Sequence, residues 1–175
     1  DVERIFGQEG VGILHLSGLI AAMSHETTEC CLALAKAAKQ YGTLVSFDLN
    51  YRATFWKGRE DALSEAFGEI ASLAGVLIAN EEDSADVFGI RARGSDIEGG
   101  TLSAEGYADV ARQLTERFGL TAAAITLRES VSASVNGWSG MLYTGGQAYL
   151  STKYNIHIVD RVGGGDSFGA GLIYS

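Results

Sequence analysis

A run of three glycines followed by an aspartate is the segment of this sequence best suited to catalysis. Gly163, Gly164, Gly165 and Asp166 lie between an apolar strand pattern and the start of a helix pattern. Backbone amides of glycines and of a helix N-terminus can approach and hold an anion such as phosphate. A neighbouring aspartate can accept the proton of a hydroxyl while these amides stabilise a transferring phosphoryl group. The simpler alternative is an ordinary helix-starting aspartate after a glycine turn.

Two further polar clusters also follow apolar strand patterns. Asp48, Asn50 and Arg52 come at the end of one such pattern, and an acidic cluster ends the next one, Asn80-Glu81-Glu82-Asp83. Carboxylate oxygens suit Mg²⁺, and the guanidinium group of arginine matches a carboxylate in a bidentate manner. The alternatives are a polar surface loop for the first cluster and an acidic helix start for the second.

The elements that must position these residues alternate between strand and helix patterns. Strands are predicted at residues 12–18, 43–48, 75–79 and 122–127, with shorter ones at 131–135, 140–143, 148–151 and 156–160. Helices are predicted from Ser24 to Gly42, over 59–73, from 80 to Gly89, from Ser103 to Gly119 and from Asp166 onward. This order predicts one α/β domain over residues 1–175, with a mainly parallel sheet and helices on both faces. Ligands of such sheets bind beyond the carboxyl ends of the strands, where all three polar segments fall.

Composition limits the class of function. The 175 residues include 13 basic and 22 acidic ones, a net charge of -9, which argues against a nucleic-acid-binding protein. No apolar run reaches the length of a membrane span, and the first residues do not form a signal peptide. The final residues stop within a helix pattern, so we expect a fragment of a longer chain, truncated at both ends.

The cysteines and histidines do not form a metal site in the sequence pattern. Cys30 and Cys31 are adjacent, so we interpret them as small apolar residues of a helix and expect a cytoplasmic location. His15, His25 and His157 are scattered without metal-binding spacing; His25 is predicted in the first turn of a helix and the others in strands.

The glycine segment resembles the C-terminal signature of the ribokinase-like (PfkB) carbohydrate kinases. That signature is usually Asp-Thr-x-Gly-Ala-Gly-Asp-x-Phe, and this chain has Arg161 in place of the threonine and Gly164 in place of the alanine. The resemblance implies that Asp166 is the catalytic base and that Gly163, Gly164 and Gly165 form the anion hole. It also implies a ribokinase-like three-layer fold, here without the lid region.

The resemblance extends to the metal sites of that family. Its members carry Asn-x-x-Glu where this chain has Asn80 and Asp83, and that motif organises Mg²⁺ through water. The shorter Asp83 replaces the glutamate, and the adjacent Glu82 is an alternative ligand. Some members bind a monovalent cation at the position of Asp160, which implies a K⁺ site here.

Two more segments resemble the 2-keto-3-deoxygluconate kinase branch of the family. Asp48, Asn50, Arg52 and Trp56 match its substrate strand, which implies an acceptor site formed by Asp48, Asn50, Arg52 and Asp166. Within it, Arg52 anchors the acceptor, and Asp48 and Asn50 orient the loop or contact phosphate. A second segment implies contacts with ATP by Thr126, Arg128 and Ser130, together with Asn80, Gly163 and Gly165. For this second segment, ordinary polarity at the end of a strand is an equal alternative.

The resemblance implies ATP-dependent phosphorylation of a sugar or sugar acid, with 2-keto-3-deoxygluconate as the leading acceptor. From the net charge and the lack of a long apolar run we expect no nucleic-acid or membrane partner. A fructokinase, or a kinase of another sugar or nucleoside, is the first alternative. A phosphate- or nucleotide-binding module without turnover is the second. A truncated chain with an exposed sheet edge could also associate into a homo-oligomer.

Overall fold

A computed structural model of the chain describes residues 1–93, 104–130, 135–160 and 162–175. Three parts of the sequence analysis concern residues outside these ranges. They are the helix start at Ser103, most of the predicted strand at 131–135, and Arg161 of the glycine signature.

Seven strands in the described residues form one sheet. Their bounds are β1 Ile13–Ser17, β2 Leu44–Asp48, β3 Val76–Ala79, β4 Ala122–Ser130, β5 Val135–Thr144, β6 Gln147–Leu150 and β7 Tyr154–His157. The spatial order is β1-β2-β3-β4-β5-β6, and β7 pairs with the other end of β5. Pairing is parallel from β1 to β4 and antiparallel beyond β4. The predicted parallel sheet is therefore confirmed for its first four strands and carries an antiparallel extension.

The helices connect these strands. Their bounds are α1 Gly18–Ala22, α2 His25–Gln40, α3 Ala53–Trp56, α4 Glu60–Leu73, α5 Glu81–Phe88, α6 Ala104–Phe118 and α7 Gly164–Tyr174, and a π-helical segment covers Glu3–Glu9. Ser24 caps α2 as predicted, since its hydroxyl accepts a hydrogen bond from Thr27 N at 3.2 Å. Gly89 ends α5 in the left-handed conformation with φ 68°, which a residue without Cβ adopts at low cost. None of the helices in the described part of the chain has the length and apolar character of a membrane span.

Helices cover both faces of the sheet, as the alternation of strand side chains requires. On one face, Phe47 of β2 packs edge-to-face on Phe67 of α4, with ring centroids 5.3 Å apart. The opposite face carries α7, where a Cβ on Gly169 would lie 3.5 Å from Cδ1 of Ile78. Ile78 is paired with Asp48 in register, so α7 shares its side of the sheet with the polar end of β2.

Three predicted boundaries were wrong. The predicted strand 140–143 is part of the ten-residue β5, which pairs with β4 along nearly its whole length. The last strand is Tyr154–His157 rather than 156–160, and α7 begins at Gly164 rather than Asp166. The glycines therefore form the first turn of this helix, because the positive φ of 79° at Gly163 turns the chain into it.

A close contact between α1 and the segment after β2 gives a prediction about stability. A Cβ on Gly18 would lie 2.1 Å from the carbonyl oxygen of Leu49, and backbone cannot move aside as a side chain can. We expect Gly18→Ala to lower the free energy of unfolding by about 3 kcal/mol or more, at the upper end of overpacking costs. Urea unfolding followed by circular dichroism measures this loss.

Gly68→Ala in α4 is the matched control. A Cβ on Gly68 would have no atom outside the local helix backbone within 4 Å, and the φ of this residue is ordinary. We expect this variant to raise the free energy of unfolding by about 0.5–1 kcal/mol, because alanine loses less conformational freedom than glycine in a helix. Equal stabilities of the two variants would contradict the proposed contact.

Candidate active site

A cavity of about 610 Å³ opens at the carboxyl edge of the parallel strands. Its walls come from the ends of β2, β3 and β4, the start of α5, one residue of β5 and the first turn of α7. The lining residues are Asp48, Asn50, Arg52, Ile78, Ala79, Asn80, Glu81, Glu82, Asp83, Thr126, Arg128, Trp138 and Gly165. The predicted convergence of the three polar segments on one sheet edge is therefore present in the structure.

The segment after β2 is held in an unusual backbone conformation. Asn50 has a φ of 37°, a left-handed value that asparagine tolerates better than most residues. Its side chain donates a hydrogen bond to Ser17 Oγ at 3.1 Å, and its backbone N–H donates to Asp48 Oδ1 at 3.2 Å. The loop after β2 is thereby tied to the end of β1, and the exposed Arg52 follows directly from it.

The same loop is tied to the start of α5. Asn80 caps α5, because its Oδ1 accepts a hydrogen bond from Asp83 N at 2.6 Å. Asp83 in turn accepts a hydrogen bond at Oδ2 from the backbone N–H of Tyr51, at 3.3 Å. A single carboxylate thus links the acidic helix start to the segment that carries Arg52.

Aromatic packing attaches the loop after β2 to α4. The rings of Tyr51 and Trp56 meet edge-to-face at 5.1 Å, and Trp56 packs on Phe67 at 4.9 Å. Trp56 is only 3% exposed, so the tryptophan of the sequence motif belongs to the core and does not line the cavity. Its contribution to the site is to hold Tyr51, and through it the loop, against α4.

The first turn of α7 lies close to β5. A Cβ on Gly140 would come within 2.7 Å of the Phe168 ring, so the glycine makes room for that side chain. Ser167 N donates to the carbonyl oxygen of Gly163 at 2.9 Å, and its hydroxyl donates to the same oxygen at 2.8 Å. Gly165 is the residue of this turn that lines the cavity, whereas the exposed Asp166 that follows it is not among the lining residues.

Clustered carboxylates dominate the electrostatics of the cavity. Burial raises the pKa of Asp48 from an ordinary 3.8 to about 6, opposed by the hydrogen bond from Asn50 and by the charge of Arg52. The negative charges of Asp83 and Asp166 raise it further. Burial also raises the pKa of Asp83, although the hydrogen bond from Tyr51 and the charge of Arg52 oppose the shift. The carboxylates that line the cavity, on Asp48, Glu81, Glu82 and Asp83, outnumber its arginines, Arg52 and Arg128.

A buried tyrosine of α6 is hydrogen-bonded to one of these carboxylates, that of Glu81. Tyr107 is 2% exposed, and burial together with the neighbouring Glu81 raises its pKa to about 12. Burial likewise raises the pKa of Glu81, whose carboxylate takes a hydrogen bond from Tyr107. The sequence pattern did not single out Tyr107, because its place in the helix stripe indicates only a core residue.

The donor set fits Mg²⁺ held mainly by water rather than by a protein cage. Asn80 Oδ1 and Asp83 Oδ2 already accept backbone hydrogen bonds, and the Asp83 carboxyl group also has a side-chain hydrogen bond with Asn80. Glu82 is an exposed carboxylate of the cavity lining. Within the described residues, no group of three or more histidines, cysteines, aspartates or glutamates could hold a metal ion. Mg²⁺ commonly keeps several waters and takes one or two carboxylates, as this arrangement allows.

Some of the predicted site residues lie apart from the others. Asp160 comes before the glycine turn, where its Oδ1 accepts a hydrogen bond from Val162 N at 2.9 Å. Ser130 pairs with Asn136 at the far end of β4, two residues beyond Arg128. Trp138 lines the cavity but was missed, because only the β4–β5 register reveals that it stands opposite Arg128.

The raised pKa of Asp48 gives a prediction about stability and pH. In the unfolded chain this carboxyl ionises near pH 4, and in the folded chain near pH 6, so its ionisation destabilises the fold as pH rises through that window. Asp48→Asn cannot ionise and can still accept the hydrogen bond from Asn50. We expect its free energy of unfolding, relative to the unsubstituted chain, to increase by about 1–3 kcal/mol between pH 4 and pH 7.

Urea unfolding at four pH values between 4 and 7 measures this difference. Asp86→Asn is the control, since Asp86 is an exposed residue of α5 outside the cavity lining. We expect the control to change the free energy of unfolding by less than about 0.5 kcal/mol, as surface substitutions usually do. A difference for Asp48→Asn that stays constant with pH would contradict the prediction.

Comparisons with known proteins identify the family and the fold. The family model of the pfkB family carbohydrate kinases matches residues 9–175. The crystal structure of 2-dehydro-3-deoxygluconokinase from Thermotoga maritima is 40% identical with a TM-score of 0.87, over 99% of this chain and 50% of that one.

Curated relatives are more distant in sequence. The 2-dehydro-3-deoxygalactonokinase of Haloferax volcanii is 26% identical over 162 residues, which are 91% of this chain and 43% of the relative. The 5-dehydro-2-deoxygluconokinase of Shouchella clausii is also 26% identical over 162 residues, 93% of this chain and 43% of the relative. The chain thus spans about half the length of the proteins it matches. Because the family model covers almost the whole chain, this chain belongs to the pfkB family of carbohydrate kinases.

Proposed function

We propose that this chain supplies the phosphoryl-transfer site of an ATP-dependent kinase whose acceptor is a small sugar acid, with 2-keto-3-deoxygluconate as the leading candidate. One observation carries the proposal: a single cavity joins Arg52, the acidic start of α5 and the glycine turn of α7. An arginine for a carboxylate, oxygens for Mg²⁺ and amides for a phosphoryl group are the parts that such a reaction needs.

In the proposed reaction, Asp166 accepts the proton of the acceptor hydroxyl as the hydroxyl oxygen attacks the terminal phosphorus of ATP. The bond from that phosphorus to the bridging oxygen breaks, and ADP leaves. The side chain of Asp166 is exposed and belongs to the first turn of α7, next to Gly165 of the cavity lining. The amides of Gly164 and Gly165 belong to the first turn of α7, where backbone N–H groups have no partner within the helix. These donors and the positive end of the helix dipole stabilise the charge that develops on the phosphoryl oxygens.

ATP and Mg²⁺ are part of this proposal. Asn80 and Asp83, with Glu82 beside them, would hold Mg²⁺ through water, and the ion supplies positive charge to the β- and γ-phosphates. Thr126 and Arg128 line the same cavity on β4 and would contact the nucleotide. A contact from Ser130 is proposed on resemblance alone.

A monovalent cation such as K⁺ is proposed at Asp160. This carboxylate stands just before the glycine turn, and one of its oxygens orders the chain by accepting from Val162 N. A cation bound to the other oxygen would stabilise the segment just before α7 and would lie outside the cavity. A cytoplasmic location completes the proposal, since the adjacent cysteines indicate no disulfide framework.

The choice of acceptor rests on Arg52 and on the names of the relatives. The names of all three describe kinases of dehydro-deoxy sugar acids. A guanidinium group at the acceptor end of the cavity suits the carboxylate of such an acid better than a neutral sugar. The alternative acceptors are fructose, another sugar or a nucleoside, because the fold alone does not determine the acceptor.

The role of Asp166 is tested by Asp166→Asn in the protein that contains this sequence. We expect the rate of phosphoryl transfer from ATP to 2-keto-3-deoxygluconate to fall about 1,000-fold, because asparagine cannot accept the proton. Asp61→Asn, an exposed substitution in α4 away from the cavity, should keep the normal rate. Near-normal turnover by Asp166→Asn would refute the assignment of the base.

The role of Arg52 is tested by comparing acceptors. We expect Arg52→Gln to lower kcat/KM for 2-keto-3-deoxygluconate about 10- to 100-fold, the cost of losing a charged bidentate contact. Arg52→Lys, which keeps the charge but loses the planar fork, should have an intermediate effect. Steady-state kinetics with fructose and ribose serve as controls, and a preference of the unsubstituted enzyme for either neutral sugar would overturn the acceptor assignment.

A second candidate function is binding of nucleotide or phosphate without turnover. It is favoured by one observation, that Gly165 lines the cavity whereas the proposed base, Asp166, is not among the lining residues. Calorimetry with MgATP separates the two, because binding by this chain in the absence of any phosphoryl transfer would support the binding module. Light scattering on the same sample determines whether the chain forms a homo-oligomer.

A further inference from the structure

Trp138 is the aromatic residue of the cavity wall that the proposed reaction leaves without a role. It is half-buried in β5, and its register places it directly opposite Arg128 of β4. Directly opposed residues of an antiparallel pair have side chains on the same face of the sheet, so the indole and the guanidinium stand side by side. Both line the cavity.

The position of Trp138 separates it from the acceptor end of the cavity. Arg52, Asn50 and Asp48 lie at the end of β2, whereas Trp138 belongs to β5, and two whole strands lie between them in the sheet. Neighbouring strands are about 4.8 Å apart, so β2 and β5 are separated by roughly 14 Å. A ligand that reaches Trp138 from the glycine turn therefore extends away from Arg52.

The glycine turn lies next to the indole of Trp138. A Cβ on Gly164 would lie 4.0 Å from Cη2 of Trp138, so the first turn of α7 lies beside the six-membered ring. Gly165, the next residue, lines the cavity together with the indole. A phosphate chain that starts at these amides thus has a flat aromatic surface within its reach.

The chemistry of this end of the cavity suits one class of ligand. An indole face stacks on a planar base, a contact that contributes about 1–3 kcal/mol per base in other proteins. Arg128 beside it supplies positive charge for phosphate oxygens, and Thr126 supplies a hydroxyl. A molecule with a planar ring at one end and phosphates at the other is a nucleoside triphosphate.

We propose that Trp138 is a nucleotide-contacting residue whose indole stacks on the purine base of ATP while the glycine turn holds the phosphates. The inference rests on the proposed function, because it needs ATP in this cavity. It adds to that function a residue that selects the donor by its base. The planar aromatic side chain of phenylalanine should replace the indole in part, and leucine should not.

Calorimetry on this chain tests the proposal with two probes, MgATP and the magnesium complex of tripolyphosphate, which lacks a base. We expect Trp138→Leu to weaken MgATP binding about tenfold and Trp138→Phe to weaken it less than about threefold, in line with the loss or partial retention of one stacking contact. Tripolyphosphate should bind all three proteins equally. A role of Trp138 limited to supporting Gly164 would weaken both probes in Trp138→Leu, and that result would overturn the inference.

Fluorescence provides a second measurement. The chain has two tryptophans, so Trp56→Phe leaves Trp138 as the only indole emitter. We expect saturable quenching by MgATP and none by magnesium tripolyphosphate. MgATP binding that is unaffected by Trp138→Leu would overturn the inference and leave the proposed function intact. Failure of the unsubstituted chain to bind MgATP would overturn both.

Discussion

Negative charge gathered at one sheet edge is the constraint that shapes this site. Parallel strands bring their carboxyl ends together, and here those ends and the helices beside them carry Asp48, Asp83 and Glu81. Burial makes their ionised forms costly, which is why the pKa of each is raised. Backbone N–H groups of Asn50 and Tyr51 offset part of this cost. A polyanionic nucleotide would meet repulsion here unless a cation bound first, so metal and nucleotide binding are expected to be linked.

The sequence was sufficient to predict the features that depend on neighbouring residues. The capping of α2 by Ser24 and the end of α5 at Gly89 follow from residue types that act within one helical turn. The grouping of Asp48, Asn80 and Gly165 in one cavity also followed, since parallel strands must end at the same edge. The resemblance to a kinase family was carried by these same segments.

Contacts between distant segments could not be predicted in the same way. The hydrogen bond from Tyr51 to Asp83 joins residues 32 positions apart, and no local pattern marks it. Trp138 lines the cavity because the register of β4 with β5 places it opposite Arg128. A one-residue shift in that pairing would have placed its side chain on the other face of the sheet. The ten-residue β5 was divided in the sequence pattern, because residues 136–139, which include Gly137, separate the predicted strands 131–135 and 140–143. In the fold, Gly140 makes room for the Phe168 ring.

The left-handed backbone at Asn50 has a consequence for the energetics of recognition. A non-glycine residue in this region is held there against a conformational preference of about 1 kcal/mol. The hydrogen bonds to Ser17 and Asp48 offset that cost in the folded chain, before any ligand arrives. The loop is thus preorganised, and a ligand that docks against it loses less free energy to ordering the protein. The end of β1 thereby contributes to the order of this loop through Ser17, although Ser17 is not among the residues that line the cavity.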